Sequence, residues 1–144
     1  MPDSCVKLHY DVAANDFTVA GEASGAVKKV LRQLGFAPEV IRRVAVAMYE
    51  CEINMVIHAE GGFIDVEITP EKIRMIHTDR GPGIKNIEKA MQEGYSTADD
   101  KVRELGFGAG MGLPNMKRYT DEMKITTEIG KGTVVEMTVF INKE

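Results

Sequence analysis

The sequence predicts an α+β fold, a two-layer α/β sandwich with helices on one face of a mixed, mainly antiparallel sheet, and three observations predict it. Residues 62–69 and 72–78 alternate apolar and polar side chains on either side of Pro70 and Glu71, which is the pattern of a hairpin. Residues 38–59 are apolar on several sides, as in a helix covered by more than one neighbour. Two more alternating runs, 123–129 and 133–141, close the chain around the turn at 130–132. Hairpin connections, rather than regular strand–helix–strand alternation, gather the helices on one side of the sheet.

The other elements follow in order. Residues 5–12 alternate as a half-buried strand, and residues 20–34 carry helical spacing at Ala23, Val27, Val30, Leu31 and Leu34 before Gly35 stops them. In the 38–59 helix, Ile41, Val44, Met48, Cys51 and Met55 form a core stripe, with Val46, Ala47, Ile53 and Ile57 apolar on other faces. A short helix is predicted over 86–93 and another over 113–119, where Pro114 is tolerated in the first turn.

The chain of 144 residues reads as a single domain, 1–144, with neither repeat nor linker. Its 18 basic and 22 acidic residues are mixed, giving a formal charge of −4, which argues against a nucleic-acid partner. No run approaches the roughly 20 apolar residues of a membrane span, and the N-terminus lacks a signal-peptide pattern, so a cytoplasmic protein with no membrane partner is expected. Cys5 and Cys51 share no metal-ligand spacing, and Cys51 reads as a small buried hydrophobe.

Three stretches carry chemistry. Glu50, Asn54 and His58 stand four apart along the apolar helix and so project from one side of it. A carboxylate buried without partners costs several kcal/mol, so the line either faces a polar cavity or has Glu50 paired with an arginine elsewhere and Asn54 satisfied in the core. His58, near the helix end, reads as packing or capping. The run TDRGPGIKN, 78–86, sets Asp79 at a strand end before glycines, either as a plain turn or as an acceptor beside closely approachable backbone. The run ELGFGAGMGLPNMKR, 104–118, alternates glycines ahead of a helix, leaving N–H groups uncovered beside a partial positive charge that favours phosphate. A flexible linker would not carry Phe107, Met111 and Leu113 among its glycines. Neither the P-loop pattern nor the Rossmann spacing is present.

In order, YECEINMVIHA (49–59), DRGPGI (79–84), GFGAGMGL (106–113) and GKGTVV (130–135) resemble the motifs of the GHKL ATPase superfamily. Within it the chain is similar to the small bacterial anti-sigma-factor and switch serine kinases of the RsbT, RsbW and SpoIIAB type. That resemblance implies the Bergerat ATP-binding fold and the cofactors ATP and Mg2+. It implies that Glu50 is the general base, that Asn54 holds the metal, and that Asp79 accepts from the adenine amine with Gly83 giving the base room. Gly81 and Ile84 belong to the same nucleotide site, as do Gly108, Ala109, Gly110, Met111, Gly112 and Leu113 along the phosphates, and Thr133 supports the adenine end. Gly108 stands where SpoIIAB-type kinases carry an arginine; Lys101 or Arg103, earlier in the same stretch, either substitutes for it at the nucleotide or is a solvated charge.

The resemblance further implies a regulatory protein-serine/threonine kinase acting on a STAS-type anti-anti-sigma protein. A sigma factor or other regulator as a further partner, and a homodimer, are also implied. The alternative is an ATP-gated binding module that sequesters a regulator with little or no transfer.

Overall fold

The computed structural model describes residues 5–13, 21–58, 61–80 and 112–141, with the side chains of Ile57 and His58 outside that set. The helix expected over 86–93 lies outside the described residues. The described elements are β1 (Val6–Val12), α1 (Glu22–Gln33), α2 (Pro38–His58), β2 (Gly62–Ile68), β3 (Lys72–Asp79), α3 (Gly112–Arg118), β4 (Glu122–Glu128) and β5 (Gly132–Phe140). Each falls within one residue of the run whose periodicity predicts it, apart from α1, which begins two residues late.

The five strands lie in the order β1-β2-β3-β5-β4, and among them every pairing is antiparallel. Alternation sends Ile64, Val66 and Ile68 of β2, Ile73 and Met75 of β3, and Val135, Met137 and Val139 of β5 to one face, where they meet the helices in one core. The other face is polar. There Arg74 donates to Glu67 at 3.3 Å and to Glu136 at 3.0 Å across three neighbouring strands.

The central helix is α2. It contacts α1, α3, β1, β3 and β5, which explains why its sequence is apolar on more than one side. Leu31 of α1, Met48 and Met55 of α2 and Met116 of α3 are fully buried along these contacts. Each such side chain contributes about 1.5–3 kcal/mol relative to leaving it in water.

The start of α1 depends on α2. Gly21 precedes the helix with φ 95° and offers no capping side chain. The Glu52 carboxylate takes that role, accepting N–H bonds from Gly21 at 3.0 Å, Ala23 at 3.2 Å and Ser24 at 3.1 Å. These are the donors that a helix start leaves unsatisfied, and a negative charge there also suits the helix dipole. Glu52 is 3% exposed, so the acid most deeply placed in α2 is a structural one.

Candidate functional site

On α2, Glu50 and Asn54 are both half-buried and share one side of the helix, as their spacing predicts. Glu50 is not paired with an arginine among the described residues. Its Oε2 accepts from Asn115 Nδ2 of α3 at 2.8 Å. The pairing follows from how α3 lies on α2. Arg43, two turns before Glu50, donates to the Tyr119 carbonyl at 3.2 Å and to Asp121 at 3.1 Å, while Arg42 sits 5.3 Å from the centre of the Tyr119 ring. Moving forward along α2 therefore moves backward along α3, so the helices are antiparallel and Asn115 faces Glu50.

The second half of the site lies at the ends of β3 and β5. Asp79 closes β3, and its Oδ1 accepts the Thr133 N–H at 3.0 Å. The Thr133 hydroxyl in turn meets that of Thr127 at 2.9 Å. Two glycines make this approach possible. Gly62 pairs with Asp79 from β2 and Gly132 precedes Thr133 on β5, at φ 154° and 129°. A side chain at Gly62 would collide with the Thr78 carbonyl, and one at Gly132 with the Asp79 carbonyl, so both neighbouring strands close on the end of β3 through bare backbone.

Charge links the two halves. Burial pushes the Cys51 thiol well up from its ordinary value, and the carboxylates of Asp79 and Glu52 push it further. The same helix packs against β3 and β5, the strands that carry Asp79 and Thr133, and Asn54 is the next turn along from Cys51.

Beneath Asp79, on the same face of β3, lies His77, 1% exposed and with neither ring nitrogen hydrogen-bonded. Burial lowers its pKa from 6.5 to about 3. In the unfolded chain the imidazole takes up a proton below about pH 6.5; in the native protein it stays neutral down to about pH 3. The native state thus binds fewer protons across that window, and His77 removes stability as pH falls through it. The expected slope from this group is about 1.4 kcal/mol per pH unit, with no contribution above pH 6.5. Urea midpoints of wild type and His77→Leu at pH 7, 6 and 5 check this: the gap between the two proteins should shift in favour of the variant as pH drops.

Of the residues singled out in the sequence, the structure brings Asp79 to Thr133 and sets Glu50 beside Asn54. Gly112 opens α3, and Leu113 is packed into the core at 7% exposure. Gly81, Gly83, Ile84, Lys101, Arg103, Gly108, Ala109, Gly110 and Met111 lie outside the described residues, and the side chain of His58 does too. Sequence reasoning missed Asn115, Glu52 and His77. One signal for Glu52 was available: two acids two positions apart on a helix point to nearly opposite sides, so a cavity facing one left the other in need of a partner.

Asn54 offers a neutral, hard oxygen of the kind that suits Mg2+, an ion that usually keeps several waters. Among the described residues no group of three or more His, Cys, Asp or Glu side chains could hold a metal. As a single protein oxygen, Asn54 would leave the rest of such an ion's shell to phosphate oxygens and water.

Residues 13–139 match the family described as the histidine kinase-like ATPase domain. The chain belongs to that family. Among relatives, the serine/threonine-protein kinase RsbT of Bacillus subtilis is 30% identical over 139 residues, 92% of this chain and 92% of RsbT. The anti-sigma F factor of Caldanaerobacter subterraneus is 35% identical over 116 residues, 77% of this chain and 78% of that protein. The solved RsbU and RsbW domains of a Mycobacterium tuberculosis protein superpose with a TM-score of 0.63 at 17% identity, covering 93% of this chain and 32% of that longer one. At that identity the likeness is one of fold. No helix among the described residues is long and apolar enough to cross a membrane.

Proposed function

We propose that this chain is an ATP-dependent protein-serine/threonine kinase of a partner-switching system, transferring phosphate to a STAS-type antagonist protein. The observation that carries the reading is the Glu50 carboxylate, held at the α2–α3 contact by a neutral amide, one turn from Asn54. Among the described residues its hydrogen-bond partner is an amide and not a cation, an arrangement that suits a general base.

In the reaction, Glu50 takes the proton of the acceptor hydroxyl as its oxygen bonds to the γ-phosphorus. The bond from that phosphorus to the β,γ-bridging oxygen breaks, and ADP leaves with the electron pair. Asp79 accepts from the adenine amine, with Thr133 fixing the carboxylate. A carboxylate carries two oxygens with about four acceptor sites, and the Thr133 N–H occupies one of them. Asn54 is the protein ligand of Mg2+, which when bound neutralises phosphate charge. Such a site works by positioning and electrostatics, and the general base is the part the protein supplies to the chemistry itself.

Single-turnover transfer from γ-labelled Mg-ATP to a STAS-domain protein of the same genome tests the reading. Glu50→Gln should slow transfer by roughly 10²–10⁴-fold while ATP binding is kept. Equal transfer by wild type and variant would remove Glu50 as base. ATP binding with no transfer by either would favour the ATP-gated module that sequesters its partner, which the glycine at position 108, in the place of an arginine, also favours.

A further inference from the structure

We propose that Asn115 is a positioning residue for phosphoryl transfer: its amide holds the Glu50 carboxylate in the orientation from which it removes the acceptor's proton. The proposal rests on Glu50 being the base. The contact is short, 2.8 Å, and joins residues 65 apart in sequence. An ionised carboxylate has no proton to donate, so the amide presents its nitrogen and the polarity of the bond is fixed. Engaging Oε2 stops rotation of the carboxylate about its last torsion and leaves Oε1 as the oxygen available to the hydroxyl.

The amide itself is held on a rigid element. On either side of Asn115, Leu113 and Met116 are buried in the core, and the Thr120 hydroxyl donates to the Met116 carbonyl at 2.8 Å. Beyond them Arg43 ties the end of the helix to α2. A base set by a side chain on packed secondary structure keeps its aim better than one on a loop.

The chemical type of the partner matters as much as its place. A lysine or arginine at this distance would orient Glu50 equally well, but it would also favour the ionised form and depress its pKa by a unit or more, weakening it as a base. An amide orients the carboxylate without contributing a full charge. Glue between helices would not need that distinction. Arg42 and Arg43 at the other end of the same contact are cations.

Four variants test this in the single-turnover assay, with Kd for Mg-ATP and urea midpoints measured alongside. Asn115→Ala should lower the transfer rate roughly tenfold or more with the Kd for Mg-ATP within about twofold of wild type. Asn115→Asp keeps the shape of the side chain and sets a like charge beside Glu50, so the acidic limb of its pH–rate profile should move up by about a unit or more. The double variant Glu50→Gln, Asn115→Ala should be no slower than Glu50→Gln alone, because a positioning residue has nothing left to position.

A wild-type rate in folded Asn115→Ala, an unmoved profile in Asn115→Asp, or losses that multiply in the double variant would each overturn the role of Asn115 with Glu50 still the base. Full activity of Glu50→Gln would instead overturn the base and the positioning role together. Should Asn115→Ala fail to fold, the profile of Asn115→Asp decides.

Discussion

Asp79→Asn should lower the affinity for ATP by about 100-fold or more. The substitution keeps an oxygen for the Thr133 N–H, which sits 3.0 Å from Oδ1, so the ends of β3 and β5 stay joined. It replaces the other oxygen with a donor, and an adenine amine meeting a donor loses its bond and leaves two polar groups unpaired in a half-buried place. Loss of a charged hydrogen bond together with that desolvation amounts to about 3 kcal/mol, which is the stated factor. Calorimetric titration with Mg-ATP measures it, and a urea melt shows whether the fold is intact. Unchanged affinity in a folded variant would show that Asp79 does not read the base.

The second large effect falls on stability. Glu52→Gln should cost about 2–4 kcal/mol, because the carboxylate it replaces accepts three backbone N–H bonds through both oxygens. Whichever way the amide turns, its NH₂ group points at a backbone donor: at Ser24 in one orientation, at Gly21 and Ala23 in the other. The urea midpoint should fall with little change in slope, and the amides of Ala23 and Ser24 should exchange faster. Transfer by the folded fraction should be preserved, in contrast to Glu50→Gln. Two acids two residues apart in α2 are thereby assigned different work by measurements that do not overlap.

That contrast marks where the sequence stops being informative. Alternation in 62–69, 72–78 and 133–141 was enough to place three strands and the face each buries, because side-chain direction in a strand depends on the strand alone. The order of four short motifs pointed to the family, and the chain's match over residues 13–139 bears that out. Nothing in those patterns separates Glu50 from Glu52. Both sit in an apolar helix, and which one faces a ligand depends on which neighbour covers which side. The structure separates their partners: α1 sets the N–H groups of its first turn over Glu52, and α3 sets Asn115 over Glu50. His77 is a similar case, a polar position in an alternating run that reads as strand in any environment. Its burial follows from the layer of helices above it.

By itself, then, the sequence determined the elements, their amphipathic faces and the family, since each is written in local periodicity or in short motifs. Tertiary structure decided which groups meet. Thr133 reaches Asp79 because β5 lies between β3 and β4, with Gly62 and Gly132 letting backbones close on the strand end. Asn115 reaches Glu50 because α3 runs antiparallel to α2. The physical reason is common to both: periodicity fixes the direction in which a side chain leaves its own element, while the partner it finds there comes from a segment more than fifty residues away, brought in by burial of the shared core.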